Sequence, residues 1–261
     1  LPKPPYDIVW MPQYAQYLAH PVITALARQV LDDHLRIAQL HLRIIESNQP
    51  DGTPGGFGKV QYRSRDNRGW HTDWPHDLSA YGGDKPEHNA GCIRQPFPDF
   101  TMCLVMIWYL TDVDENSGGT WVVPGSHRDR RNPRGPSDNI NVAAPIPGEM
   151  QVTATAGSVY IQDSRSWHAS PMHNPGGQDR VAVLNRWCPW WLSVDDYAPE
   201  NIFNTICQPL SRAEYESLPT ELQPFMKHLS PEVGETIQQP VLDRAKAAAL
   251  RAKWGFDQLD N

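Results

Sequence analysis

Residues 68–77 read RGWHTDWPHD, and their pairing of His71 with Asp73 two positions later carries most of what the chain discloses about its fold. Side chains two apart on an extended strand project to the same side, so an imidazole and a carboxylate can converge there. A second stretch, DSRSWHASP at 163–171, places His168 near the end of an apolar run, and Arg180 follows His168 by twelve positions. Two imidazoles and one carboxylate are the donor set of a facial iron(II) site with open coordination positions. If His168 is to join His71 and Asp73, the fold must bring the chain back to the same place long after it has left. An arginine nearby would hold a carboxylate co-substrate.

The texture around these motifs agrees with such a fold. Short β-like runs at Phe57–Arg63, Phe100–Leu110, Thr120–Val123, Gln151–Thr155, Ser158–Gln162 and Val181–Cys188 are separated by turn material such as DNRG, DENSGG and NPGGQD. Many short strands closing on themselves suit a jelly roll or double-stranded β-helix. The insert from Pro75 to Pro98 reads as a loop over a site. PGEM followed by TAGSVYIQD reads as a hairpin feeding the strand that carries His168.

Helices are expected at both ends. From Pro21 to Glu46, Leu31, Leu35, Ala38, Leu42 and Ile45 recur at spacings of four and three, which predicts one amphipathic helix with Pro21 in its first turn. His34 and His41 fall in it as structural or surface residues. Near the other end, Ser211 and Glu214 form a capping-box pattern, and Val241–Trp254 is rich in helix formers. The organisation expected is one domain over 1–261: a lead-in and helix at 1–56, a mainly β jelly-roll core, cupin-like, at 57–190, and a helical extension at 191–261.

Composition narrows the function. A net charge of −7 argues against nucleic acid or an anionic membrane as the main partner. The longest apolar run, Met102–Leu110, suits a buried strand and is too short to span a bilayer. Four cysteines without a CxxC pair support neither a disulfide framework nor a zinc ribbon; Cys103 and Cys188 read as reduced core thiols. The chain begins at Leu1 and shows no secretory leader in its opening residues, and a cytoplasmic protein is the expectation. The partner expected is a small-molecule substrate, with the terminal helices as candidates for a contact between copies of the chain.

His-x-Asp alone is a weak signal in a chain with ten histidines. The whole string is specific. Together with ENSGGTWVVPGSH at 115–127, which is similar to a family segment ending in PGSH, it resembles the phytanoyl-CoA dioxygenase family of iron(II)/2-oxoglutarate oxygenases from about Phe57 to Cys188. The resemblance implies a double-stranded β-helix, with His71, Asp73 and His168 as iron ligands. It also implies 2-oxoglutarate and O2 as co-substrates, and oxidation of a small organic substrate, usually hydroxylation, with release of succinate and CO2. A retained carboxylate at Asp73 argues against halogenation, since halogenases of this wider class lack that ligand.

Arg180 is then the candidate anchor for the distal carboxylate of 2-oxoglutarate, because a guanidinium can pair it through two hydrogen bonds. Arg186 is the competing assignment. Ser170 resembles the family's hydroxyl beside that arginine. Trp108 resembles a tryptophan lining the cofactor pocket, against ordinary core packing. Gln61 and Lys59 could reach the same pocket from the first strand. Trp74, His76 and Asp77 follow the first ligand pair and are candidates near the substrate; Trp167 precedes His168, but alternation puts it on the opposite strand face, which suits core packing. Arg128, Arg130, Arg131 and Arg134 could receive an acidic substrate, or could simply be solvated. His88, His127 and His173 are not read as ligands. Two other functions fit the bare ligand set: a cupin-like metal-dependent isomerase or hydrolase, and a non-catalytic jelly-roll binding protein.

Overall fold

A computed structural model of the chain describes residues 12–51, 70–73, 98–131, 145–169, 174–192 and 210–230, with positions 75, 133, 233 and 252. The architecture is mainly β. A four-stranded sheet has the order β1-β7-β2-β5, from β1 (Leu35–Ile45), β7 (Arg180–Pro189), β2 (Leu104–Tyr109) and β5 (Val159–Asp163). A three-stranded sheet has the order β4-β3-β6, from β4 (Met150–Gln151), β3 (Trp121–Val122) and β6 (His168–Ala169). Every pairing is antiparallel, and His71 extends the smaller sheet by a bridge to His168.

Alternation along β2 gives the larger sheet two unlike faces. Leu104, Met106 and Trp108, with Val183 and Trp187 of β7, face a helical layer. That layer comprises α1 (Pro12–Leu18), α2 (Pro21–Val30), α3 (Arg212–Ser217) and α4 (Gln223–Met226), which bring Leu18, Ala27, Tyr215, Phe225 and Met226 into the same core. The other face carries Val105, Ile107, Tyr109 and Ala182, and packs on Val152 and Ala154 from the region of the smaller sheet. By the same alternation Arg180 and Arg186 belong to this inward face.

One expectation needs correction. The helix predicted from Pro21 to Glu46 ends at Val30, and Leu35–Ile45 is β1, an edge strand of the larger sheet. The chain turns where Asp32 Oδ1 accepts from the His34 N–H at 2.9 Å, a turn device of Asp side chains. The misleading spacing has a physical origin. A bulge between Ile37 and Gln39 inserts Ala38, so the residue facing the helices changes from odd (Leu35, Ile37) to even (Leu42). A strand whose parity switches midway imitates a period between three and four. The segment expected to precede the β core thus supplies one of its strands.

The other described strands overlap their expected positions, with narrower limits for β2 and β3 and an earlier start for β4. The strand expected at Phe57–Arg63 and the helix at Val241–Trp254 lie outside the described residues, as does the Pro75–Pro98 insert apart from its two ends. The capping box is present: Ser211 Oγ accepts from the Glu214 N–H at 3.3 Å, and Glu214 Oε2 accepts from the Ser211 N–H at 2.9 Å. Cys103 and Cys188 are buried and take part in no disulfide. Among the described residues no helix is long and apolar enough to cross a membrane.

The ENSGGTWVVPGSH segment owes its glycines to geometry. Gly125 has φ 82°, a conformation glycine adopts without steric cost, and it opens the 3-10 turn Ser126–Arg128. A Cβ on Gly119 would stand 2.2 Å from the Val152 carbonyl oxygen, beside the Val152 N–H bond to Thr120 O. Gly119→Ala is therefore expected to lower stability by about 1–3 kcal/mol through forced separation of the two strands. A denaturant midpoint equal to that of the parent protein would show that the strands yield freely.

Candidate active site

Backbone pairing brings the two histidines together. His71 N–H donates to His168 O and His168 N–H to His71 O, both at 3.0 Å, the reciprocal pair of an antiparallel ladder. Their rings lie 4.2 Å apart between centroids. Asp73, two residues on, is fixed at its main chain by donating from N–H to Ser164 O at 2.7 Å. Its Oδ2 then lies 3.3 Å from His168 Nε2 and its Oδ1 3.9 Å from His71 Nε2. One ligand atom from each residue falls within 4.8 Å of the others. Asp73 and His168 are buried, and His71 is partly open.

The surroundings orient each group. His168 Nδ1 lies 3.0 Å from the Ser166 carbonyl oxygen. With the proton on Nδ1 for that bond, Nε2 keeps its lone pair towards the cluster. Arg186 Nη2 donates to Asp73 Oδ1 at 2.5 Å. Burial alone would raise the Asp73 carboxyl, but the Arg186 guanidinium beside it, with His168 and then His71 also favouring the anion, outweighs it and holds the group well below the usual carboxylate range.

Further out, Trp70 and Trp167 sit in a small core with Val123, Ile146 and Ala169. The PGSH turn is anchored to the ligand strand: Ser126 Oγ accepts from the Trp167 N–H at 2.8 Å and donates to Val123 O at 2.6 Å. On the approach to His168, Arg165 Nε and Nη2 donate to the two oxygens of Asp163 at 3.0 and 2.8 Å. Arg165 Nη1 also donates to Pro98 O at 2.8 Å.

Arg180 lies on the same inward face as Arg186, six residues away along β7, or about 20 Å of extended chain. It is only 4% exposed. Its guanidinium stands 5.8 Å from the centroid of the Tyr109 ring, and its Nε has no hydrogen-bond partner. Among the described residues no carboxylate pairs with it, and burial draws its pKa below the ordinary arginine value. Tyr109 links it towards the His71–Asp73–His168 cluster, because its hydroxyl donates to Thr120 Oγ1 at 3.3 Å, and Thr120 precedes the residues of β3 that pair with Ala169 and His168.

Trp108 is a correction. It is on the outward face of β2, edge-on to Tyr14 with ring centroids 5.7 Å apart, and its Nε1 donates to Asn185 Oδ1 at 2.7 Å. Strand alternation therefore turns it into the helical core and away from Arg180 and Asp73. Ser170, Gln61 and Lys59 lie outside the described residues, as do Trp74, His76, Asp77, His88, Arg134 and His173. His127 sits in the PGSH turn and takes no part in the three-residue cluster. In the arginine cluster, Arg131 pairs with Asp129 at 2.6 Å and its guanidinium lies 5.4 Å from the Trp167 ring centroid. Reading the sequence missed the roles of Ser126, Tyr109 and the Asp163–Arg165 pair. It also named Arg186 only as a rival anchor, although the shared parity with Arg180 was visible.

Comparison with known proteins gives relatives at several levels. Rv1501 of Mycobacterium tuberculosis and Mb1539 of Mycobacterium bovis, both uncharacterised proteins, are each 28% identical over 176 residues, covering 66% of this chain and 50% of theirs. The chain thus spans about half the length of these curated relatives. Among solved structures, HygX of Streptomyces hygroscopicus with nickel and 2-oxoglutarate bound is 17% identical, over 71% of each chain, with a TM-score of 0.49. EctD of S. alaskensis with bound iron is 19% identical, over 70% of this chain and 56% of its own, with a TM-score of 0.46. The family model for phytanoyl-CoA dioxygenase matches residues 11–182, a span that includes β1, both ligand motifs and Arg180. This chain belongs to the phytanoyl-CoA dioxygenase family.

Proposed function

We propose that the protein is an iron(II)- and 2-oxoglutarate-dependent oxygenase whose two sheets form a double-stranded β-helix, hydroxylating a small organic substrate. The observation that carries this reading is a pair of features on one inward surface: three converging donors, and a buried arginine with no acid beside it among the described residues. The donors fit a metal. Metal–ligand bonds of about 2.0–2.2 Å place adjacent ligand atoms roughly 3 Å apart, and the 3.3 Å between Asp73 and His168 is close to that already. Two neutral imidazoles with one carboxylate are the set that suits iron(II) with open positions.

When bound, iron(II) and 2-oxoglutarate would supply the oxidative chemistry, dioxygen converting the keto acid to succinate and CO2 while a substrate carbon is hydroxylated. The chain's own contribution is positioning. His71, Asp73 and His168 would hold the metal on one side, leaving the other side to the co-substrates. Arg180, buried beside the Tyr109 ring, would receive the distal carboxylate of 2-oxoglutarate, where a charge-assisted pair is strong. Arg43, whose charge acts on Arg180, adds to the positive potential there. A metal-dependent isomerase or hydrolase built on the same ligands has no use for that arginine.

The test is an anaerobic titration of the apo-protein with iron(II) and then 2-oxoglutarate. The visible charge-transfer band of the chelate is expected on the second addition. Metal uptake without that band would favour the isomerase or hydrolase, and no metal uptake would leave a binding protein with structural histidines. A further expectation concerns outcome. Because Asp73 is retained and sits among the ligands, turnover with chloride present should yield no halogenated product from any accepted substrate. Mass spectrometry of the products checks this, and a chlorinated product would remove Asp73 from the metal.

A further inference from the structure

We propose that Arg186 is a positioning residue of the metal centre, clamping Asp73 so that its carboxylate offers the metal a single oxygen. This rests on the metal reading above and adds a role to a residue outside the ligand set. Arg186 lies on the inward face of β7, in register with Val105 of β2 and Gln39 of β1. Its Nη2 donates to Asp73 Oδ1 at 2.5 Å, whereas Asp73 Oδ2 faces His168 Nε2 at 3.3 Å. The two oxygens of one carboxylate therefore have different partners.

That difference has a coordination consequence. A carboxylate can bind a metal through one oxygen or through both. A charge-assisted hydrogen bond on Oδ1 competes with the metal for that oxygen and leaves Oδ2, on the His168 side, as the donor. Bound through one oxygen, Asp73 would leave open positions for the co-substrates, and bound through both it would take up one of them. The backbone bond from Asp73 N–H to Ser164 O sets where the residue sits, and Arg186 sets how its carboxylate is turned. With both fixed before the metal arrives, little ordering is left for binding to impose.

The sign of the effect separates orientation from charge. By Coulomb's law alone, removing a cation beside a divalent metal should tighten metal binding. Removing an outer partner that orients a ligand typically weakens it by about 10–100-fold. Cobalt(II) titrated calorimetrically into the apo-protein is the probe, with no turnover required. Arg186→Met is expected to raise the cobalt Kd by about 10–100-fold, with circular dichroism unchanged. Arg186→Lys should recover most of this, since an ammonium can still hold one oxygen. Arg186→Gln, which keeps polar donors, should fall between them and serves if the Met variant does not fold. A Kd equal to or tighter than the parent's in the Met and Gln variants overturns the proposal, as does lost thermal stability with the Kd intact, which marks a purely structural pair. If the parent protein takes up no cobalt, this inference falls together with the proposed function. If the parent binds and the variants bind equally well, only this inference falls.

Discussion

Arg180→Ala is expected to raise the 2-oxoglutarate concentration needed to form the chelate with the metal-loaded protein by roughly a hundredfold or more. The expectation follows from where the guanidinium sits. It is 4% exposed, and among the described residues it has no acid partner and faces the Tyr109 ring. A carboxylate arriving there completes a desolvated, hydrogen-bonded ion pair. Truncating one member of such a pair costs on the order of 3–5 kcal/mol, about two to three and a half decades in affinity. Arg180→Lys should restore only part of it, because a single ammonium cannot match the paired donors of a guanidinium. Anaerobic titration followed by the charge-transfer band measures each variant. Metal affinity should stay near the parent value, since Arg180 is six residues along β7 from the arginine that touches Asp73. Should Arg186→Ala show the large 2-oxoglutarate defect with metal affinity intact, and Arg180→Ala show none, the anchor is Arg186.

The second large effect is on the metal itself. His168→Ala or His71→Ala removes a proposed ligand, so iron(II) affinity should fall by more than the roughly 10–100-fold that loss of an outer partner costs, and succinate production should cease. The fold should survive, because the hydrogen bonds that join these two residues are between main chains and do not depend on the imidazoles. Asp73→Ala should abolish metal binding too, and it leaves Arg186 without the carboxylate it now holds. Metal analysis after anaerobic reconstitution, with a thermal melt beside it, reads both parts. A variant that keeps full iron and full turnover is not missing a ligand, and that residue would leave the proposed set.

The candidate site was legible to different depths. His71 and Asp73 were paired by a spacing of two, which any extended backbone converts into a shared side. Their partner at His168 could be nominated because its string resembles a family pattern, whereas the ladder that joins it to His71 is a non-local pairing that no local signal contains. Arg180 was reached in the same way, and the family match over residues 11–182 includes it. Trp108 shows the limit: its position late in an apolar strand was read correctly, but a run that is buried on both faces has no polar residues to say which face is which. The helices packed on β2 and β7 decide that, and they turn Trp108 outward.

The same contrast accounts for β1. The chemistry of side chains along the sequence determined that the chain is mainly β, that strands lie at β2, β5 and β7, that Ser211 starts a helix, and that His71, Asp73, His168 and Arg180 are the residues to watch. These are consequences of period, turn chemistry and motif, which act over a few residues. Tertiary structure alone decided that Leu35–Ile45 is an edge strand with a bulge, that Trp108 belongs to the helical core, and that Arg186 rather than solvent satisfies Asp73. Each of those depends on a partner distant in sequence: β7 for the strand, Tyr14 and Asn185 for the tryptophan, and Asp73 for the arginine. Propensity yields to such partners because burial and hydrogen bonding across the fold outweigh the few tenths of a kcal/mol by which a short segment prefers helix or strand.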